Sequence, residues 1–466
     1  MGDEVSVIVG NVITIDNPSA ELMKWCRQNL KLPNPDYTKK QRMHLWTGKT
    51  PEYLNLYETH GDKLILPFGT LRHIYPMVAS GEFKTNFLVA EKIDYGCEVP
   101  LYDYQKEAVD KAYWAQYGIL QSPAGSGKTQ MGIALIAKLG KRALWLTHTI
   151  DLLNQSKERA RQYMGEALLG TITEGKVNIG RGITFATVQT MCNLDLSQYK
   201  NMWDVIIVDE CHRAAGTPTA VSQFYKVLNS LAARHKYGLS ATVHRSDGLI
   251  KATFALIGDV VYTVPTEAVA DKIMRVGINP VPTGIGLSRS CLNTDGTLNY
   301  AKLVSYIVEN EVRNRLIVEC VTAERDKPAL ILSDRLCHLE TLMAMLPADM
   351  REDAVMVSGK MTTKKGKAER EQAIADMRSG AKKYLFATYS LAKEGLDVPR
   401  LERLYMVTPQ KDYAVITQAI GRVARTSKGK ADPVVYDFVD DIQYLVKAYK
   451  KRCATYRKNG AYFVER

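Results

Sequence analysis

A glycine-rich segment that ends in lysine and threonine is the first stretch of the sequence whose residue types suit a specific chemistry. The segment reads Ser122-Pro123-Ala124-Gly125-Ser126-Gly127-Lys128-Thr129. It follows an apolar run and opens a helical stretch, so its backbone N–H groups can surround phosphate groups at a positive helix N-terminus. Lys128 would reach the β- and γ-phosphates of a nucleotide, and the Thr129 hydroxyl would ligate Mg²⁺. The strict pattern begins with glycine where this chain has Ser122, so the segment matches a looser form.

Two adjacent carboxylates follow a later apolar run. Residues 205–208 are Val-Ile-Ile-Val, and Asp209 and Glu210 come directly after them. A carboxylate at the tip of a buried strand is suited to metal binding, which is the role expected of Asp209. The neighbouring Glu210 is placed to orient or deprotonate an attacking water. An exposed acidic turn is the alternative, which the phosphate-binding segment upstream disfavours.

Three polar residues near the C-terminus have the spacing of one helical face. Gln418, Arg422 and Arg425 stand at i, i+4 and i+7, which predicts a shared face of an α-helix. Arginines aimed at a γ-phosphate stabilise the charge that is transferred during hydrolysis. A solvated basic helix face is the alternative interpretation.

Short apolar runs separated by helical stretches must position these residues. From about Val99 the predicted strands are 118–121, 143–147, 182–187, 205–208 and 237–240, and a second series is 329–332, 354–357, 384–387, 403–407 and 434–438. This alternation is typical of parallel sheets with crossover helices. Residues 278–299 are rich in Pro, Gly, Ser and Asn, which predicts a domain junction near them. The predicted fold class is α/β, with two parallel-sheet domains.

The first 97 residues have a different pattern. Their β-rich runs are interrupted at Gly10-Asn11, which predicts a hairpin, and a helix is predicted over residues 20–30. Basic and aromatic side chains are mixed in segment 39–42, Trp46 and Tyr53. We expect a small α+β accessory domain in this part of the chain.

Composition and charge restrict the class of protein. The chain has 466 residues, of which 46% are hydrophobic, and this excludes a disordered, collagen-like or coiled-coil protein. A net charge of +12 favours a polyanionic partner, most often nucleic acid. The eight cysteines lack C-x₂-C spacing, which argues against a structural metal cluster. Apolar runs as long as a membrane span and a signal peptide are both missing, so we expect a cytoplasmic protein without a membrane partner.

Two basic runs are further candidates for contact with a polyanion. Such runs are more often solvated faces. One contains Lys360, Lys364, Lys365, Lys367 and Arg370, and the other contains Lys447, Lys450, Lys451, Arg452, Arg457 and Lys458.

The order of these motifs resembles that of superfamily 2 helicases and translocases of the DExH type, over about residues 100–440. The resemblance implies two RecA-like motor domains, ATP and Mg²⁺ as cofactors, and a nucleic acid partner. It implies that Gln105 contacts adenine and that Gly395 and Asp397, in the segment 394–399, contact the nucleotide. Binding of ATP would close the cleft between the domains, and hydrolysis would reopen it.

The same resemblance implies roles at the other motif positions. Residues expected to contact nucleic acid are Thr147, His148, Thr187, Gln189, Ser333, Ser358, Gly359 and Thr388. Residues expected to couple the ATP site to the nucleic acid groove are His212, Ser240 and Thr242. Cys211 is expected to be a packing residue of its motif.

Two segments bear on the substrate. The extension after Ser240-Ala-Thr242, which carries Arg245 and Asp247, resembles that of phage recombination helicases and xeroderma pigmentosum B-type enzymes. The stretch 32–37 resembles, more loosely, the N-terminal domain of phage branch-migration helicases. The resemblance implies an ATP-dependent DNA helicase that remodels forks and four-way junctions in recombination, repair or replication. An RNA helicase is the alternative, and a nucleic acid clamp with a degenerate ATPase is a third possibility that the intact Lys128 disfavours.

The expected domain organisation follows from these patterns. Residues 1–97 would form an accessory DNA-binding domain, residues 98–275 the first RecA-like domain with the ATP site, and residues 276–466 the second RecA-like domain. A monomer is the expected state.

Overall fold

The computed structural model describes residues 6–87, 91–243, 248–269, 273–359, 361, 363–393, 396 and 398–464. It forms two compact units. The first is Met1–Pro123 with Gly127–Pro265, and the second is Thr266–Arg466 with Ala124–Ser126. None of the described helices combines the length and the apolar character that crossing a bilayer requires.

The first unit begins with a mixed sheet and three helices. Its strands are β1 Ser6–Val9, β2 Val12–Asp16, β3 Lys31–Pro33, β4 Tyr53–Asn55, β5 Glu58–His60, β6 Lys63–Pro67 and β7 Glu82–Thr85. Its helices are α1 Ala20–Asn29, α2 Pro35–Arg42 and α3 Leu71–Val78. The sheet order is β5-β6-β2-β1-β7, and β3 and β4 form a separate ribbon. The predicted hairpin is confirmed, because β1 and β2 pair antiparallel around Gly10 and Asn11.

The rest of the first unit is a largely parallel sheet with helices between its strands. The strands are β8 Gly118–Gln121, β9 Ala143–Thr147, β10 Leu169–Thr173, β11 Lys176–Asn178, β12 Ile183–Thr187, β13 Val205–Asp209, β14 His235–Ser240 and β15 Val260–Thr263. The helices are α4 Asp103–Ala115, α5 Lys128–Leu139, α6 Ile150–Met164, α7 Val188–Cys192, α8 Pro218–Ser230 and α9 Ile250–Ile257. The order is β11-β10-β12-β9-β13-β14-β8-β15, with β11 antiparallel to β10. Strands such as β9 and β13 are buried along their whole length, which explains their continuous apolar sequences.

The second unit is a parallel sheet covered by helices. Its strands are β16 Gly277–Gly286, β17 Ala329–Ser333, β18 Ala354–Val357, β19 Tyr384–Thr388, β20 Arg403–Met406, β21 Val434–Asp441 and β22 Tyr462–Phe463. Its helices are α10 Tyr300–Glu309, α11 Glu311–Ala323, α12 Leu336–Met345, α13 Ala348–Glu352, α14 Lys364–Ser379, α15 Tyr389–Lys393, α16 Tyr413–Val423 and α17 Gln443–Lys458. The order is β18-β19-β17-β20-β21-β16-β22. The predicted α/β class is therefore confirmed.

Strand β16 lies in the segment that the sequence marked as a domain junction. Pro280 and Pro282 obscure the strand pattern, because proline has no N–H group to donate to a sheet. Along β16 the pairing with β21 continues through both prolines, whereas β22 pairs only with Gly277 and Ile278. The side of β16 beyond Ile278 is thus a partial edge, where a missing N–H group costs little.

A hydrophobic core joins the N-terminal region to the parallel sheet that follows it. The core contains Phe68 and Ile74 from the N-terminal region together with Tyr117, Ala252 and Ala255 from the parallel-sheet region. Because the same apolar cluster belongs to both parts, they form one packed body within the first unit.

Polar contacts fix the same junction. Arg72 donates from Nη2 to the carbonyl oxygen of Tyr117 at 3.1 Å and stacks over that ring. The buried Lys236 donates from Nζ to the carbonyl oxygens of Asn11 at 3.1 Å and Leu228 at 2.8 Å. Burial lowers the pKa of Lys236 to about 7. The accessory region is therefore attached to the sheet by packing and by directed hydrogen bonds.

We expect Gly69→Ala to loosen this junction. A Cβ on Gly69 would lie 2.5 Å from the Phe254 carbonyl oxygen and 2.5 Å from the Gly258 nitrogen, and backbone atoms cannot move aside cheaply. Overpacking of this kind costs about 1–3 kcal/mol, so thermal unfolding should begin at a lower temperature. Gly286→Ala is the control, because open space surrounds a Cβ there. Equal unfolding midpoints for the two variants would contradict the close packing.

Candidate functional site

The residues with predicted chemistry in the first unit lie at the carboxyl ends of neighbouring parallel strands. Strand β13 pairs with β14 so that Asp209 is opposite Leu239, next to Ser240. Strand β14 pairs with β8 so that Ser240 is opposite Gln121, the last residue before the glycine-rich loop. The carboxyl ends of adjacent parallel strands are where open α/β sheets bind ligands.

The glycine-rich loop connects β8 to α5 and has the backbone that its sequence predicts. Gly125 and Gly127 have φ values of +83° and +82°, a region that L-residues with side chains rarely adopt. The loop begins at Ser122, whose N–H group donates to the carbonyl oxygen of Ser240 at 2.9 Å. The first residue of α5 is Lys128, so the loop ends at a helix N-terminus, where anions are favoured.

Gln105 lies beside this loop. It is the third residue of α4 and is buried, and its Oε1 accepts from the Tyr102 N–H group at 2.9 Å. Its Nε2 is so close to Gly127 that a Cβ on that glycine would collide with it. The side chain that the sequence associated with adenine is thus packed against the phosphate-binding loop.

The two adjacent carboxylates point to different partners. Asp209 accepts from Ser156 Oγ at 3.1 Å and from the Glu210 N–H group at 3.0 Å. Glu210 has a left-handed backbone, with φ +47°, and its Oε1 is 3.9 Å from Lys128 Nζ. The turn at Glu210 therefore directs one carboxylate towards α6 and the other towards the start of α5.

The electrostatic environments of the two carboxylates differ accordingly. Burial raises the pKa of Asp209, and the negative charge of Glu210 raises it further. Burial also disfavours ionisation of Glu210, but the Lys128 ammonium and the hydrogen bond with His212 outweigh it and hold the pKa of Glu210 below its ordinary value. Glu210 is therefore a carboxylate at neutral pH.

A polar chain leads from the carboxylates to the next strand. His212 Nδ1 is 3.3 Å from Glu210 Oε2 and 2.9 Å from Ser240 Oγ. Ser240 Oγ in turn donates to the carbonyl oxygen of Thr242 at 2.6 Å. Of the three residues that the sequence assigned to coupling, His212 thus contacts Glu210 directly, and Ser240 and Thr242 are linked to it through His212.

The donor set at the strand tips suits a hard cation. Mg²⁺ prefers oxygen ligands and commonly takes one or two carboxylates together with substrate phosphates and water. Asp209 offers a buried carboxylate, and the Thr129 hydroxyl lies in the first turn of α5. Among the described residues, no group of three or more His, Cys, Asp and Glu side chains could hold a metal ion by itself. A cation here would therefore complete its coordination with nucleotide and water.

The residues of the first unit that the sequence assigned to nucleic acid lie at the ends of β9 and β12. These strands pair with Thr147 opposite Thr187. Thr147 is completely buried and donates from Oγ1 to the carbonyl oxygen of Thr149 at 2.9 Å, so its side chain supports the turn into α6. His148 and Gln189 are half-buried and in contact, with 3.3 Å between Nδ1 and Nε2. Burial, and the charges of Arg213 and His212, lower the pKa of His148.

In the second unit the corresponding residues also lie at strand ends. Ser333 at the end of β17 is paired with Thr388 at the end of β19. Ser333 is fully buried and is 3.1 Å from His338 Nδ1, whereas Gly359, after β18, is exposed. Ser358 is buried. Ser333 Oγ accepts from the Arg335 N–H group at 3.1 Å, so this serine shapes the backbone at the end of β17. Exposed surface at this edge comes from residues such as Gly359.

Gln418, Arg422 and Arg425 do not share one helical face, which corrects the prediction. Gln418 and Arg422 lie in α16, but this helix ends at Val423 and Arg425 follows its C-cap. Beyond the helix the chain pairs with the segment at Ile273, through an antiparallel bridge at Arg425. Tertiary pairing thus ends the helix before its third predicted member, although the sequence contains no helix-breaking residue there.

Arg422 donates from Nη1 to the carbonyl oxygen of Leu396 at 3.0 Å. This contact attaches α16 to the segment in which nucleotide contacts were expected. Gly395 and Asp397, the expected contacts themselves, lie outside the described residues, as do Arg245, Asp247 and Lys360.

One site residue was missed in the sequence, and one basic residue was misassigned. Ser156 contacts Asp209 from the middle of α6, and a lone serine in a helix carries no signal of such a contact. Arg452, counted in a basic run, is buried and paired with Asp437, at 2.8 Å between Nε and Oδ2. It therefore belongs to the core of the second unit, and its inclusion among solvent-facing basic residues was wrong.

The chain is similar to proteins of known families. Residues 98–245 match the family described as "Type III restriction enzyme, res subunit", and residues 312–427 match "Helicase conserved C-terminal domain". The chain is 25% identical to "Probable helicase D10" of Escherichia phage T5, over 73% of this chain and 72% of that protein. It is 25% identical to "DNA 3'-5' helicase XPB" of Mycobacterium tuberculosis, over 76% of this chain and 63% of that protein.

Solved structures show the same architecture. S. cerevisiae Dbp5 bound to RNA and ADP BeF3 matches with a TM-score of 0.55 at 18% identity, over 86% of this chain and 94% of that chain. The fold thus comprises two RecA-like parallel-sheet domains, and the predicted small N-terminal α+β region is also present. The chain belongs to the superfamily 2 helicases and is related to phage and XPB helicases, which confirms the resemblance inferred from its motifs. Its domains are those of an ATP-dependent helicase.

We expect Ser156→Ala to slow ATP hydrolysis about tenfold, because hydrogen bonds to charged groups contribute about 1.5–3 kcal/mol and Asp209 would lose one. Steady-state hydrolysis with saturating nucleic acid measures the effect. Ser222→Ala is the matched control, since Ser222 is an exposed helical serine whose hydroxyl donates to the Pro218 carbonyl oxygen of its own helix. A Ser156→Ala enzyme as fast as the control would show that Asp209 needs no such support.

Proposed function

We propose that the chain is an ATP-dependent DNA helicase or translocase that remodels branched DNA, such as forks and four-way junctions. The observation that carries the ATP-dependent part of the proposal is the continuous set of contacts from Lys128 through Glu210 and His212 to Ser240. These contacts join the phosphate-binding loop to the ends of β13 and β14. The segments that follow these strands, Cys211–Ala215 and α9, contribute to the core shared with the N-terminal region. A net charge of +12 supports a polyanionic substrate.

The proposed roles follow from the position of each group. The loop residues from Ser122 to Thr129 bind the phosphates of ATP, and Lys128 holds the β- and γ-phosphates. Glu210 orients the attacking water and accepts its proton. Bound Mg²⁺, held by Asp209 and Thr129, would neutralise charge on the phosphates. Arg422 and Arg425 are proposed to stabilise the charge that develops during hydrolysis.

DNA is the preferred substrate in this proposal. Support comes from the relative in Mycobacterium tuberculosis, whose name describes a DNA 3'-5' helicase. An RNA helicase is the second candidate, because a relative in Acanthamoeba polyphaga mimivirus, 24% identical over 75% of this chain, is named "Putative ATP-dependent RNA helicase L396". The two candidates require different polynucleotides and are separated by one measurement.

The first experiment is steady-state ATP hydrolysis with no nucleic acid, single-stranded DNA, duplex DNA, a four-way DNA junction or RNA. We expect the strongest stimulation with the junction and none with RNA. The stimulation should fall steeply as salt is raised, because phosphate contacts release counterions. Stimulation by RNA alone would overturn the proposed substrate while leaving an ATP-dependent motor.

Lys128→Ala and Glu210→Gln should each reduce turnover at least a hundredfold. The first variant loses the group that positions the phosphates, and the second loses the group that accepts the proton of the attacking water. Nucleic acid binding, measured by fluorescence anisotropy without nucleotide, should persist in both variants. Lys138→Ala is the control, since this lysine of α5 pairs with Asp110 at the protein surface. Normal turnover in either site variant would show that the ATP site has been misplaced.

A further inference from the structure

The loop after α2 exposes large apolar side chains to solvent. Met43, Leu45 and Trp46 are all exposed, and Trp46 is 87% exposed. We call residues 43–52 the tip loop. Contiguous exposed apolar side chains mark interaction sites, whereas single scattered ones are ordinary surface.

Internal hydrogen bonds and a ring contact hold the tip loop in shape. Lys40 Nζ donates to Thr50 Oγ1 at 2.7 Å, and the Leu45 N–H group donates to the Lys40 carbonyl oxygen at 2.9 Å. The Trp46 ring lies against Gly48, where a Cβ would be 2.8 Å from a ring carbon. Gly48 has φ +53°, so glycine serves both the turn and the ring contact. The exposure of Trp46 is thus a fixed feature of this loop.

Basic side chains flank the tip loop. Lys39 and Arg42 are exposed in the last turn of α2, and Lys49 is exposed within the tip loop. Of the two acidic residues between positions 34 and 52, Asp36 lies in the first turn of α2, at its other end, and Glu52 is exposed at the end of the tip loop. Helix α2 has no buried residue, so its basic face is open to a partner. An aromatic side chain among basic ones complements a polyanion with exposed π-faces, which is a nucleic acid.

The tip loop is also attached to the parallel sheet of the first unit. Its base is attached to Asn34, whose Nδ2 donates to the Pro51 carbonyl oxygen at 2.8 Å. The region that carries it is joined to the parallel sheet through the shared core with Phe68 and Tyr117. A ligand held by the tip loop is therefore held against the first unit as a whole.

We propose that the tip loop binds nucleic acid where the two strands of a duplex part. Trp46 stacks on the base or base pair exposed there, and Lys39, Arg42 and Lys49 contact the flanking phosphates. Stacking tolerates any sequence because every base has a π-face, as a motor without sequence preference requires. The inference rests on the proposed function, since it names the group that holds the branch.

The test is binding of a fluorescein-labelled fork to the full chain, as DNA and as RNA, without nucleotide. Trp46→Ala should weaken binding about tenfold, because stacking on one base contributes about 1–3 kcal/mol. Trp46→Phe should retain most of the affinity, since an aromatic face remains. Trp114→Ala is the matched control: Trp114 is 77% exposed, on α4 of the same unit, and its loss should leave fork affinity unchanged.

A second measurement reports the contact directly. The fluorescence that wild type has in excess of Trp46→Phe should be quenched when the unlabelled fork is added. Equal fork affinities for wild type and Trp46→Ala, or no quenching of that excess signal, would overturn the proposal. So would a change confined to self-association, which would assign the tip loop to a second copy of the chain.

The outcomes separate this inference from the proposed function. If RNA alone stimulates ATP hydrolysis, the DNA assignment fails, and a Trp46-dependent loss with the RNA fork still supports the tip loop. If a DNA junction stimulates hydrolysis but Trp46→Ala binds forks normally, the motor assignment stands and the tip loop proposal fails.

Discussion

Two adjacent carboxylates at the end of one buried strand are the constraint around which the first unit is organised. Like charges this close cannot share one environment without one of them losing its charge. The left-handed backbone at Glu210 solves the problem, at a cost of order 1 kcal/mol for a residue with a side chain. With this backbone conformation, Asp209 accepts a hydrogen bond from the Ser156 hydroxyl, and Glu210 lies near the Lys128 ammonium. Helices α5 and α6 carry these two partners and therefore pack against the end of β13.

The segments that follow these strand ends pack against the N-terminal accessory region. The 3₁₀ helix Cys211–Ala215 follows the carboxylates directly, and its Ala215 belongs to the core that contains Phe68. Helix α9 contributes Ala252 and Ala255 to the same core. Protein interiors are close-packed, so a shift of either helix cannot occur without disturbing its neighbours. Removing residues 1–97 would expose this core, and single substitutions are therefore the sharper way to study the accessory region.

Much of the fold was predictable, because a buried parallel strand needs a continuous apolar run, and such runs are visible in sequence. Strands β8, β9 and β18 have the predicted bounds. Strand β16 was missed because its Pro280 and Pro282 are typical of loops, and only its place beside the short β22 makes them tolerable. The helix carrying Arg422 was predicted, but its end depends on pairing at Ile273. Contacts such as Ser156 with Asp209 join distant positions and leave no periodic signal.

Basic runs illustrate why burial must decide what a charge pattern means. In the C-terminal run, Arg452 makes two hydrogen bonds to Asp437, and Tyr456 donates to the same carboxylate at 2.7 Å. Burying a charged arginine is costly unless an opposite charge lies beside it, as Asp437 does here. Arg452 therefore stabilises the core of the second unit and is not available to an external polyanion. In the tip loop the pattern is similar in sequence, yet Lys49 and Trp46 both face solvent. The other basic residues of the C-terminal run, Lys447, Lys450, Lys451, Arg457 and Lys458, are also exposed. Burial therefore removes Arg452 alone from the charges of that run that a polyanion could reach.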